Sequence, residues 1–176
     1  MSRRGGIPPL VGGHDIGAAI ELSRRIDDAL ETVDDPEYPG VSIVALGMFE
    51  SMSVQHDDTT GKPHVTISLV PTFAGCPALG MIADDVRQAV AGAVDAESVA
   101  VEWRSDVAWS TDRISADAEQ ALAQEFTVVL RGADGTLRCP VCGHDAVTDQ
   151  SMAGPTRCRS VAWCPDCRNP VEVFRA

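Results

Sequence analysis

No stretch of this 176-residue chain approaches the run of apolar residues that a membrane-spanning helix needs. Met1 to Gly13 holds Arg3 and Arg4 with no apolar run behind them, so neither a secretory nor a twin-arginine leader is expected. The chain therefore reads as cytoplasmic, without a membrane partner. Positive charge is scarce: 14 basic side chains stand against 26 acidic ones, a formal charge of −12. Nucleic acid and anionic lipid would repel such a chain as a whole, which leaves other proteins as the partners it suits. Internal repeats and long low-complexity segments are absent. Cysteine is missing from most of the chain: Cys76 stands alone before residue 138 and five more follow it. That asymmetry marks a second module. In a reducing compartment such thiols serve as metal ligands or reactive groups, not as disulfides.

The length suits one good core with a small appendage. Residues 1 to 14, rich in glycine and proline, read as a disordered lead. Asp15 to Val33 carries Ala19, Leu22, Ile26, Ala29, Leu30 and Val33 at helical spacing, and Asp34 to Gly40 reads as the turn that stops it. Val41 to Leu46 suits a strand or a helical turn equally. Met48 to His56 and His64 to Val70 alternate as strands, joined by a hairpin turn over Asp57 to Gly61. A helix from Pro77 to about Val94 follows, then a third strand, Ser98 to Trp103, with Val99, Val101 and Trp103 on one face. Ser115 is a good N-cap for a short helix through Ala123, with Asp117 and Glu119 in its first turn. Thr127 to Arg131 and Thr136 to Arg138 are read as strands opening a separate module with its own hydrophobic pattern. The fold class is α+β: a small sheet with covering helices over 15–124, then a compact module over 125–176.

Two places carry chemistry. Cys76 lies where an apolar strand turns at Gly75 into a helix whose first position suits Pro77. The positive end of that helix is expected to favour the thiolate, the form that attacks electrophiles or binds metal. The plainer reading is a small buried residue in a turn. Farther on, Cys139-Pro140-Val141-Cys142 and Cys164-Pro165-Asp166-Cys167 are two Cys-x-x-Cys knuckles with 21 residues between them. Two residues between sulfurs let one turn offer both thiolates to one ion, and two such turns complete a tetrahedral site, with zinc the usual occupant. A closed four-thiolate site leaves no position for a substrate, so this zinc is expected to be structural. For Cys158 the readings are a buried thiol nearby, an alternative ligand or a redox residue. His144, just after the first knuckle, reads as a surface histidine beside it, with competition for the zinc as the alternative.

Asp35-Pro36-Glu37, the turn Pro71-Thr72-Phe73-Ala74-Gly75-Cys76-Pro77 and the loop Ala108-Trp109-Ser110-Thr111-Asp112 together resemble the iron-sulfur cluster assembly (FSCA) domain. With the double knuckle added, the chain from about residue 15 resembles the small accessory subunits of bacterial phenylacetyl-CoA epoxidase systems. It departs from their pattern at Val107, in place of proline, and at Arg113, in place of a frequent tryptophan. The resemblance implies an FSCA-like domain followed by a zinc-ribbon-like module. It implies a non-catalytic role in assembling or inserting an iron-sulfur or related iron centre in the reductase or oxygenase component, or in another client. Cys76 would then hold a transient cluster, with a homodimer or the client supplying further ligands. Thr72 would hydrogen-bond near the sulfur or be a β-branched strand residue. Asp35 and Glu37 would act as acceptors or oxygen ligands, or form a solvated turn. Trp109 would be a packing lid over Cys76. The alternatives are a general cluster-assembly factor and a thiol-dependent enzyme using Cys76. The enzyme needs a base, for which the chain offers His14, His56, His64 and His144 in no recognisable arrangement.

Overall fold

The computed structural model describes residues 16–132 and 134–175; the lead over 1–14, with His14, lies outside them. Helix α1 (Ile16–Leu30) buries Ile26, Ala29 and Leu30 along one stripe. The segment read as a helix-stopping turn is a tight hairpin in which β1 (Asp34–Asp35) pairs with β2 (Tyr38–Ser42) around Pro36-Glu37. Its carboxylates make the reversal: Asp35 Oδ1 accepts from the Glu37 N–H at 2.8 Å and Asp34 Oδ2 from the Gly40 N–H at 2.7 Å. Of the open stretch Val41 to Leu46, the strand takes Val41 and Ser42, and turns take the rest.

Strands β3 (Phe49–His56) and β4 (Pro63–Leu69) form the expected hairpin. Asp57 Oδ1 closes it by accepting from the N–H groups of Thr59 and Thr60. Helix α2 (Leu79–Ala93) then returns the chain to β5 (Ser98–Trp103), which lies parallel to β4 in the order β3-β4-β5. Ile26 and Leu30 of α1 join Ile82, Val86 and Val90 of α2 in one buried cluster with Val65, Ile67 and Leu69 of β4. The Arg25 guanidinium ties the helices by donating to the Ala93 carbonyl. No helix of the described residues is long and apolar enough to cross a membrane.

A 3-10 turn (Thr111–Arg113) leads to α3 (Ala116–Glu125), capped as expected by the Ser115 hydroxyl, which accepts from the Ala118 N–H at 3.1 Å. The four-stranded sheet of the ribbon has β6 (Val128–Val129), β7 (Thr148–Ser151), β8 (Arg159–Trp163) and β9 (Pro170–Phe174) in the order β6-β9-β8-β7. Thr136 to Arg138 is no strand; Leu137 makes a single bridge to Ala146. The Gly132 N–H turns back to the Thr136 carbonyl and the Cys139 N–H is used by the His144 carbonyl, so no ladder is left to form there.

The hydrophobic patterns of the two modules are not separate. Val128, Cys158 and Phe174 lie in the same buried cluster as Tyr38, Leu46 and Trp109. Phe174 stacks on Tyr38 with ring centroids 5.8 Å apart and meets Trp109 at 5.2 Å. A smaller cluster of Val129, Leu137, Ala162, Val171 and Val173 surrounds Cys139 and Cys164 within the ribbon.

Candidate functional site

The cysteine turn hangs from the end of β4. The Cys76 N–H bonds the Phe73 carbonyl at 3.0 Å, and a Cβ at Gly75 would come within 2.9 Å of the Phe73 ring. The first full helical bond runs from the Ile82 N–H to the Ala78 carbonyl, so α2 begins after Pro77, and Cys76 is a turn residue ahead of it. Even so, the N–H groups of Ala78 and Leu79 reach the sulfur and lower its pKa. They lose the contest: partial burial, with the nearby charges of Asp35 and Glu37, pushes the Cys76 thiol above its ordinary value. The expected helix-end activation is therefore overridden by desolvation and two carboxylates.

Those carboxylates are committed elsewhere. Asp35 is buried inside its own turn, and burial pushes its pKa up. Glu37 is gripped by the ribbon: its Oε2 accepts from the Cys158 thiol at 3.3 Å and from Arg159 at 3.4 Å. Arg159 also pairs with Glu172 at 2.6 Å and lies over the Tyr38 ring at 5.0 Å. Among the described residues the Tyr38 hydroxyl is buried without a partner. Sequence reading missed Arg159, and no local signal could have found it, because Glu37 stands 122 residues away.

Thr72 sits in the cysteine turn, but its hydroxyl makes no hydrogen bond to Cys76. Trp109 is a buried link, donating from Nε1 to the Leu46 carbonyl at 3.0 Å while its ring meets Phe174. Arg113, at the position of the frequent tryptophan, is a polar clamp: it donates to the carbonyls of Gly47 at 2.7 Å and Phe49 at 3.0 Å and pairs with Glu50 at 2.8 Å. Gly47 has φ +71 and no room for a Cβ against Arg113, so this contact needs glycine. His56, the last residue of β3, and His64, near the start of β4, lie at the hairpin end of the pair, with a strand's length of about 20 Å between them and the cysteine turn. They bring no base to Cys76.

The knuckles do come together. The sulfurs of Cys139, Cys142, Cys164 and Cys167 all lie within 4.8 Å of one another, with Cys139 to Cys167 at 3.6 Å and Cys142 to Cys164 at 3.5 Å. Zinc–sulfur bonds of about 2.3 Å in a tetrahedron place sulfurs about 3.8 Å apart, so the four thiols fit such an ion. Each knuckle closes with a left-handed residue directly after its second cysteine, Gly143 at φ +77 and Arg168 at φ +57. Cys158 is outside this group, facing Glu37. A cleft of about 590 Å³ separates the cysteine turn from the ribbon loop, with Phe73 and Pro77 on one side and Met152 to Arg157 on the other.

Over residues 23–103 the chain matches the family described as iron-sulfur cluster assembly protein. A Bacillus subtilis (strain 168) protein, the Fe-S protein maturation auxiliary factor YitW, is 36% identical over 101 residues, which is 57% of this chain and 93% of the relative. A crystal structure of a domain of unknown function, DUF59, from Bacillus anthracis covers 60% of this chain and 95% of its own, at 30% identity and a TM-score of 0.51. The chain belongs to the iron-sulfur cluster assembly protein family. Within it the chain is of the two-module PaaD type, because residues 123–175 match the PaaD zinc beta ribbon domain. An Escherichia coli (strain K12) protein provisionally named as one of the subunits of 1,2-phenylacetyl-CoA epoxidase is 29% identical over 153 residues, 83% of this chain and 88% of that one.

Proposed function

We propose that this protein is a non-catalytic accessory factor of a phenylacetyl-CoA epoxidase system, delivering iron or an iron-sulfur cluster to the reductase or oxygenase component. Cys76 is the thiol that holds this cargo in transit, with the client or a second copy of the chain supplying the remaining ligands. Asp35 and Glu37 set the charge around it, and Thr72 shapes the turn that carries it. Cys139, Cys142, Cys164 and Cys167 hold a structural zinc, which when bound fixes the ribbon and exposes no reactive position. What carries the reading is the likeness to the E. coli relative, which extends across most of both chains and is not confined to the cysteine turn. A cytoplasmic setting accords with the reduced thiols this chemistry needs.

The test compares strains carrying wild-type protein or Cys76→Ala, measuring iron and acid-labile sulfide in the purified epoxidase components. The substitution is expected to cost the fold at most about 1 to 2 kcal/mol, so the variant accumulates. Its clients should be soluble, poor in metal and restored by chemical reconstitution. Equal metal loading and equal epoxidase activity in the two strains would show that the thiol is structural. A general assembly role is favoured by the likeness of the first module to the B. subtilis factor. It would appear in the same strains as metal loss in unrelated iron-sulfur proteins.

A further inference from the structure

The cleft beside the cysteine turn is built by both modules. Phe73 and Pro77 of the first domain face Met152 and Pro155 of the ribbon loop, and Met152 is 67% exposed. Glu37 also reaches this cleft, but its charge is met by Arg159. Two cations on its rim are different. The Arg157 side chain is exposed and, among the described residues, makes no hydrogen bond or ion pair. Arg175 donates from one Nη to the Met152 carbonyl and, among the described residues, pairs with no carboxylate. Arg24, Arg87, Arg104, Arg113, Arg131 and Arg159 sit on acidic partners, whereas Arg138 and Arg168, exposed beside the metal knuckles, have none among the described residues but do not line this cleft. A chain of charge −12 thus presents two uncompensated arginines beside an apolar cleft.

We infer that this cleft docks an extended segment of client polypeptide that carries carboxylates among apolar side chains, with Arg157 and Arg175 as the recognition residues. The inference rests on the reading of the cysteine turn as the working end, and it names what brings the client there. Carboxylates match the arginines, and the neighbouring side chains match Phe73, Pro77 and Met152. A nucleic acid offers charge without that apolar face and meets repulsion from the rest of the surface. On a chain of charge −12 the two arginines give an acidic client a local attraction beside the apolar cleft, which sets its orientation as well as its affinity.

The test uses the full-length, metal-loaded protein and a labelled peptide of alternating leucine and glutamate, followed by fluorescence anisotropy and by the methyl NMR signal of Met152. The peptide should bind, shift Met152 and lose affinity as salt rises. Peptides with glutamine or lysine in place of glutamate should bind more weakly or not at all. Arg157→Glu, at an exposed position with no structural contact, should weaken binding roughly fivefold or more, and Arg175→Gln should weaken it independently. Failure of the glutamate peptide to bind would overturn the inference. So would equal binding by the glutamine peptide or by Arg157→Glu, displacement by inorganic phosphate at low concentration, or shifts that fall away from Met152. Cys76→Ala should bind the peptide as wild type does. Normal client metal loading in that variant would count against the cysteine reading alone, whereas lost peptide binding in Arg157→Glu speaks only to the docking surface.

Discussion

At Cys76 two physical effects oppose each other, and their balance sets the chemistry available at neutral pH. Backbone N–H groups at the start of α2 favour the thiolate, while burial and the carboxylates of Asp35 and Glu37 disfavour it more. With a pKa above the ordinary cysteine value, the sulfur is held mainly as the thiol at pH 7. Iodoacetamide should therefore modify Cys76 more slowly than it modifies a free cysteine at pH 7, with the rate climbing as pH rises. A fast, pH-independent reaction would contradict this balance. Bound iron would reverse it, since a metal stabilises the thiolate that the protein alone does not. Asp35 gives a second residue-level test. Burial raises its folded pKa, so the ionised form costs stability above that pKa, and the cost fades as pH falls through the folded value towards 3.8. Asp35→Asn keeps the oxygen that accepts from the Glu37 N–H and removes the charge. In urea denaturation it should be more stable than wild type by about 1 kcal/mol at pH 7, with the gap closing near pH 4. If the carboxylate serves the cargo, the same variant should lose client loading while gaining stability.

Among the elements, β9 does the most to join the two modules. It begins three residues after Cys167, pairs with both β6 and β8, and ends at Phe174 between Tyr38 and Trp109. Truncating a buried aromatic ring removes its transfer energy and leaves a cavity. Phe174→Ala should accordingly cost about 3 to 5 kcal/mol in urea unfolding, and the emission of Trp109 should change in the folded state. A loss under about 1 kcal/mol would mean that the aromatic junction contributes little. Element boundaries were legible wherever local chemistry sets them. The Ser115 cap and the Asp57 turn follow from residues close in sequence. The β1–β2 hairpin reads in sequence as a plain turn, because aspartate and proline signal reversal without revealing that the flanks pair. The start of α2 at Leu79 is not marked in the sequence, because proline tolerates both the first helical position and the turn before it.

For the whole molecule, the shared core alters what metal removal should do. Patterning along the chain suggests a ribbon that unfolds while the first domain stands. The packing of Tyr38, Trp109 and Phe174 places the ribbon's last strand inside the first domain's core. Stripping the four-cysteine site with a strong chelator should therefore lower the unfolding temperature of the entire chain. Far-ultraviolet dichroism and tryptophan emission should follow one transition. Retention of a first-domain transition at its original temperature would show that the junction adds no cooperativity. The sequence by itself determined the α+β class, the strand-turn-helix that presents Cys76 and the double knuckle whose four cysteines cluster. Each of these rests on periodicity or on spacing within a short segment. Only the tertiary structure decided the direction of the Cys76 pKa shift, the grip of Cys158 and Arg159 on Glu37, the place of Trp109 and the cleft between the modules. These depend on residues distant in sequence that packing brings together, and no local pattern encodes such a meeting.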